Sequence, residues 1–254
     1  MLDSPACARC RAKPVRTTFR RRVWPGVLMA LVPGLLALVP GCHTGTPAEL
    51  TPTQVHVARP ETGRPARPSP LLPDVLARTT WTGEAPIISR LTPMGQPWRI
   101  TVHHEGMDTN DLTSAQAVAA RLRTITEVQQ RPTSHGGLGA GDLAYHYCID
   151  RAGRIWEGRS LAWQGAHAGN LTANAGNIGI VVLGNFELQR PTPEQLSSLR
   201  RLLSELCDRH GISGDRIYGH NEIKAQYGLA PTRCPGRFLS AWLRSFRGES
   251  TAAR

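Results

Sequence analysis

The run Tyr218-Gly-His-Asn-Glu-Ile-Lys-Ala-Gln-Tyr-Gly-Leu-Ala-Pro-Thr-Arg-Cys-Pro-Gly236 sets a histidine behind a short apolar strand (Ile217, Tyr218) and a cysteine before Pro235-Gly236. Thirteen residues separate His220 from Cys234, too loose a spacing for two ligands on one helix face. The stretch suits a loop that leaves a strand end and folds back. Imidazole nitrogen and thiolate are first-choice zinc ligands, and a catalytic zinc takes three protein ligands and keeps one position for water. The third ligand must then come from elsewhere, and the rest of the chain is the scaffold that delivers it.

Histidine is the limiting resource. Of the nine in the chain, His43 and His56 stand in a proline-rich segment, His135 in a glycine-rich one, and His210 at a helix C-terminus, where positive charge is useful anyway. His103, His104, His146, His167 and His220 remain. Trp98-Arg-Ile-Thr-Val-His-His104 has the pattern of a strand, and neighbours in a strand point to opposite faces. His103 and His104 therefore cannot share one site, and the residues alone do not choose between them. Taken singly, each of the five serves equally as a satisfied core histidine. Cys148 and Cys207 fall in a strand and a helix, the place of apolar fillers, with a disulfide between them open in an oxidising compartment. Cys7 and Cys10 form a single CxxC that lacks the second pair a metal site needs.

The remaining pattern predicts strands interspersed with helices, an α/β sheet with helices packed on it. Thr113 with Gln116 predicts a capping box opening a helix over 111–130, with Val118, Leu122 and Ile125 at helical spacing. Residues 143–149 and 154–157 predict a hairpin around Asp150-Arg-Ala-Gly153. GAHAGNLTANAG (165–176) reads as a long polar loop, and Asn177–Leu183 as a strand covered on both faces. Thr192-Pro-Glu-Gln195 opens a helix that carries Leu196, Leu199, Leu203 and Leu206 and closes at Gly211. Phe238, Leu239, Trp242, Leu243 and Phe246 mark a last amphipathic helix.

The net charge of +11 is uneven: residues 1–22 hold seven Arg or Lys against one Asp, so they supply +6 and the remainder +5. No aromatic-interleaved basic stripe accompanies it, which excludes a nucleic-acid partner of the single-strand-binding kind. Arg20-Arg21-Arg22, the apolar run Val23 to Pro40 and Gly41-Cys42 have the order of an export signal. Val39-Pro-Gly-Cys42 resembles a bacterial lipobox, which implies lipidation at Cys42; an uncleaved N-terminal anchor is the alternative. Either places the domain in the cell envelope, on the periplasmic side of a membrane. Residues 43–80, with seven prolines and no aromatics, form a flexible tether. The globular domain spans 81–247, and 248–254 is a tail.

Six pieces stand in one order: ITVHH (100–104), DLAYHYCIDRAGRIWEGR (142–159), GAHA (165–168), NIGIVVLGNF (177–186), GHNE (219–222) and TRCPG (232–236). Together they resemble the zinc amidase family that includes peptidoglycan recognition proteins and amidase-type phage lysozymes. The resemblance covers nearly the whole domain. It implies a central mixed β-sheet flanked by helices, with one zinc ion in a cleft on His103, His220 and Cys234. It points to Tyr145 and Thr232 as catalytic-site residues and to hydrolysis of the amide between N-acetylmuramic acid and L-alanine. Peptidoglycan or muropeptides are the expected partners of a monomeric domain. His167 is the first candidate for substrate contact, followed by Asn170 and Asn177. The sequence departs from the family in a longer loop between His220 and Cys234. It has Thr232 where phage-type members carry Lys, and Val181 where another branch carries glutamate. The alternatives are a non-catalytic peptidoglycan-binding module of the same fold and a structural zinc domain, which would need a fourth ligand.

Overall fold

The β-branched run Asn177-Ile-Gly-Ile-Val-Val182 forms a strand buried at every position, as a strand covered on both faces must be. The computed structural model describes residues 74–252. Its strands are β1 Val75–Leu76, β2 Arg99–His104, β3 Tyr147–Ile149, β4 Ile155–Glu157, β5 Asn177–Val182 and β6 Ile217–Gly219. They form one sheet in the order β1-β4-β3-β5-β2-β6. The β3–β4 hairpin is antiparallel and the other neighbours are parallel, the mixed sheet expected. The helices are α1 Ala115–Gln130, α2 Leu171–Asn174, α3 Pro193–His210, α4 His220–Gln226 and α5 Arg237–Ala252.

The pleat divides the sheet's side chains between two cores. Ile100 and Val102 of β2, with Ile178, Ile180 and Val182 of β5, pack against Leu199, Leu203 and Leu206 of α3 and Leu239, Leu243 and Phe246 of α5. On the opposite face Val181 and Cys148 meet Val118 and Leu122 of α1, together with Trp81 and Trp156. Successive residues of a strand alternate between faces, so Thr101 and His103 belong with α1.

Local chemistry explains the ends of the elements. Thr192 and Gln195 make the expected reciprocal capping box, and Gly211 closes α3 in the left-handed conformation at φ 65°. α1 corrects its prediction: Ser114, not Thr113, is the N-cap, its Oγ accepting from the Ala117 N–H at 3.0 Å. Ala117 has no polar side chain to reciprocate, so there is no box. The predicted strand over 143–149 is regular only from Tyr147. Its first half is held irregular by the Arg159 guanidinium, which donates to the carbonyls of Leu143, Asp142 and Gln164.

Two helices are new. α2 lies within the predicted polar loop, capped by the Asn170 side chain. α4 occupies the start of the stretch expected to be loop after His220. The predicted domain start at Trp81 also moves. Val75–Leu76 already pairs with β4, and Arg78 binds Asp142 at 2.8 Å. At the other end, α5 runs on through Ala252 instead of giving way to a tail. Cys148 and Cys207 form no disulfide with each other and sit in different cores. Cys7, Cys10, Cys42, the predicted export segment and most of the predicted tether lie outside the described residues. Among the described residues no helix is long and apolar enough to cross a membrane.

Candidate metal centre

Three segments distant in sequence meet at the C-terminal ends of β2 and β6. The strands pair in the register Val102↔Gly219, which brings the next residues, His103 and His220, side by side with ring centroids 4.5 Å apart. His220 begins α4. Glu222, in the first turn of that helix, accepts from the Gly219 N–H at 2.6 Å and from the Arg247 guanidinium of α5 at 3.0 and 2.8 Å. Gly219 has no side chain to return the bond, so this is a one-sided cap reinforced by an ion pair. The chain then doubles back. Asn221 N–H donates to the Cys234 carbonyl at 2.8 Å, Cys234 N–H to Thr232 Oγ1 at 3.2 Å and His104 N–H to Cys234 Sγ at 3.4 Å. Gly236, at φ +87°, lies so close to the Phe186–Glu187 backbone that a Cβ would fall 2.3 Å from the Phe186 carbonyl carbon. Only glycine closes this loop.

The ligand atoms of His103, His220 and Cys234 all lie within 4.8 Å of one another. His103 Nδ1 is 3.6 Å from Cys234 Sγ. A tetrahedral zinc with Zn–S about 2.3 Å and Zn–N about 2.0–2.1 Å would set a nitrogen and a sulfur roughly 3.6 Å apart, so the pair fits. His220 Nε2 is buried without a hydrogen-bond partner, an orphaned atom that a metal would satisfy. The pleat also resolves the histidine pair. His104 turns to the other face, where its Nδ1 accepts from the Phe186 N–H at 3.2 Å.

Burial governs the protonation of the cluster. It pushes the His103 imidazole well below its ordinary range, and the neighbouring rings of His220 and His167 push the same way. His220 falls to about 4, first by burial and then through Lys224 and His104. Burial drives the Cys234 thiol up to about 12, partly offset by the hydrogen bond from His104. At neutral pH the metal-free cluster is therefore an uncharged thiol among uncharged imidazoles. A cation that displaces the thiol proton finds both ring nitrogens ready to ligate.

Tyr145 stands against this cluster, its ring 5.1 Å from that of His103. Burial first, then the proximity of Cys234 and Glu105, raises its phenol above the ordinary range, so it keeps its proton. Thr232 is half-buried two residues before the cysteine. Beside Tyr145 opens a groove of about 210 Å³ between the end of β2 and α1, lined by Glu105, Met107, Arg121, Ile125 and Val128 among others.

Of the three expected substrate contacts, His167 and Asn177 are buried and Asn170 is exposed. His167 is 5% exposed, and both ring nitrogens are engaged, one by His103 at 3.0 Å and one by the Asn177 carbonyl at 3.1 Å. It backs the cluster instead of facing the cleft. Asn177 is fully buried, its side chain held by Thr101 and Ala173. Asn170 is exposed, and its Oδ1 caps α2 by accepting from Ala173 N–H at 2.7 Å. Sequence reasoning missed Glu105 on the groove wall and the Glu222–Arg247 brace behind His220. Gly219 is not one of the polar caps that pair with a glutamate three residues on, so local sequence does not announce the brace, and the wall position of Glu105 depends on packing.

The fold and site thus define an α/β domain with a three-residue, metal-competent His/His/Cys centre beside a groove. The chain belongs to the N-acetylmuramoyl-L-alanine amidase family, whose model matches residues 93–237. A similar protein is peptidoglycan-recognition protein SD of Drosophila simulans, 29% identical over 177 residues, which are 68% of this chain and 85% of that protein. Another is a human N-acetylmuramoyl-L-alanine amidase, 28% identical over 68% of this chain and 28% of its own length. Among solved structures, that of tracheal cytotoxin bound to the ectodomain complex of peptidoglycan recognition proteins LCa and LCx superposes with a TM-score of 0.55. It is 25% identical and covers 67% of this chain and 94% of the other.

Proposed function

We propose that this domain is a zinc-dependent amidase that cleaves the bond between N-acetylmuramic acid and the L-alanine of the peptidoglycan stem peptide. The observation that carries the reading is the convergence of His103, His220 and Cys234 beside the protonated phenol of Tyr145. Among the described residues this cluster has three members, which leaves a tetrahedral ion one position open. The family match and the human relative named as an amidase support the same chemistry. The neighbour holding tracheal cytotoxin, a peptidoglycan fragment, supports the substrate class.

His103, His220 and Cys234 would hold the zinc, one thiolate leaving the site at net +1. When bound, zinc supplies Lewis acidity that polarises a carbonyl and makes water a competent nucleophile near neutral pH. Tyr145 keeps its proton and donates a hydrogen bond to the charge that develops on the scissile carbonyl, a contribution worth roughly 10²–10³ in rate. Thr232 accepts from the Cys234 N–H, and its own hydroxyl proton is the second donor. The groove along α1 receives the stem peptide. The export signal and Cys42 support a location in the envelope as a tethered monomer, held by lipid or by an uncleaved anchor.

The test is incubation of purified domain with sacculi, with and without chelator, followed by mass spectrometry of the soluble fraction. Freed stem peptides beginning at L-alanine, lost on chelation and regained with zinc, are the expected result. Sedimentation with sacculi without any release of peptides would leave a binding module.

A further inference from the structure

His167 is a buried imidazole that the catalytic proposal does not use, and its surroundings are built around its ring. A Cβ on Gly165 would lie 2.3 Å from His167 Cδ2, and one on Gly179 would lie 2.4 Å from the same atom. Two glycines from different segments thus make room for this side chain. The His167 and Ala168 N–H groups both donate to Asn174 Oδ1 at 3.0 Å. Asn177, whose carbonyl meets the ring, is itself fixed. Its Oδ1 accepts from Thr101 Oγ1 at 2.9 Å, and its Nδ2 donates to the Ala173 carbonyl at 2.9 Å.

The direction of each bond follows from one end. A carbonyl oxygen only accepts, so the 3.1 Å contact between His167 Nε2 and the Asn177 oxygen carries its proton on Nε2. A neutral imidazole protonated at Nε2 presents Nδ1 as an acceptor. The 3.0 Å contact between His167 Nδ1 and His103 Nε2 is then donated by His103. His103, neutral in turn, has its free lone pair on Nδ1, the atom 3.6 Å from Cys234 Sγ. The opposite tautomer of His103 would set two lone pairs against each other across the His167 contact and point an N–H at the thiol.

We propose that His167 is a positioning residue: with the Asn177 carbonyl it fixes the Nε2–H tautomer of His103 and presents a bare Nδ1 to zinc. This role rests on the zinc reading above, but it is tested without substrate. Long-range proton–nitrogen spectra of the metal-free protein should show His103 protonated at Nε2. His167→Leu, which fills the cavity without an acceptor, should mix the His103 tautomers and weaken zinc binding, measured by chelator competition, roughly 10–100-fold. His167→Asn sets a carbonyl oxygen where Nδ1 stood and should restore both the spectrum and the affinity.

An Nδ1–H tautomer in the metal-free wild type would overturn the proposal, and so would wild-type zinc affinity in His167→Leu. Should the leucine variant fail to fold, the wild-type spectrum and His167→Asn decide: a folded asparagine variant with mixed tautomers and weak zinc binding also refutes it. A domain that passes these measurements yet releases no peptide from sacculi would lose the amidase reading and keep this one.

Discussion

The two faces of the sheet are made from the same strands and do opposite work. On the α3–α5 side, Ile100, Val102, Ile180 and Val182 pack into a hydrophobic cluster, and burial there contributes stability at about 25 cal/mol per Å². On the α1 side, one residue along in each strand, Thr101, His103 and Asn177 are buried polar groups, each a cost unless hydrogen-bonded. They are bonded to one another, to His167 and to backbone. What this polar face gains is a set of imidazoles held neutral and pre-aimed. A period of two along β2 therefore separates what holds the fold from what could hold an ion.

The sharpest way to break that division is Cys234→Ala. Zinc retention and peptide release should both be lost, while the metal-free protein should melt close to metal-free wild type, because the half-buried thiol contributes little to either core. Zinc content by elemental analysis and release from sacculi check it; full activity in a metal-free Cys234→Ala protein refutes the ligand assignment. Tyr145→Phe is the next largest. Turnover should fall roughly 10²–10³-fold with zinc content unchanged, and unchanged turnover would remove the phenol from the mechanism.

The opposite face gives the converse. Leu203 is fully buried in the α3 stripe, so Leu203→Ala should cost about 2–5 kcal/mol of stability. Zinc affinity in the fraction that stays folded should match wild type. Denaturant titration and chelator competition on the same sample separate the two, and a large loss of affinity would show that the faces are coupled.

The sequence reveals this division unevenly. Polar–apolar alternation is absent from β5, and its continuous apolar run announces a doubly covered strand directly. The leucine stripe and Thr192–Gln195 cap of α3 also rest on local pattern, which local chemistry enforces. His103 and His104 are different: the pleat says that one of them faces the site, but the β2–β6 register, a long-range property, decides which. His167 was misplaced for the same kind of reason. A histidine in a polar segment looks exposed until α2, Gly165 and Gly179 enclose it, and the group it serves on Asn177 is a backbone carbonyl, which has no letter in the sequence. α4 went unseen because Gly219 supplies no side-chain cap and the helix ends within two turns.

The smallest effect concerns His146, a neutral brace beneath the polar face. Its Nδ1 accepts from the Gly179 N–H at 2.9 Å and its Nε2 donates to the Trp163 carbonyl at 3.0 Å. Burial lowers its pKa to about 3, and the Trp163 hydrogen bond only partly opposes that. Between pH 3 and the unfolded value near 6.5 the unfolded chain binds a proton that the folded one does not, so stability falls as the pH drops through this window. From pH 7 to 5.5 this one group should remove about 1.3 kcal/mol. His146→Gln can keep a donor and an acceptor but does not titrate there, so its stability curve should lose one proton's worth of slope below pH 6.5. Urea titrations of the two proteins across that range measure the difference, and parallel curves would mean that His146 is protonated in the folded state and that this part of the polar face is not held neutral.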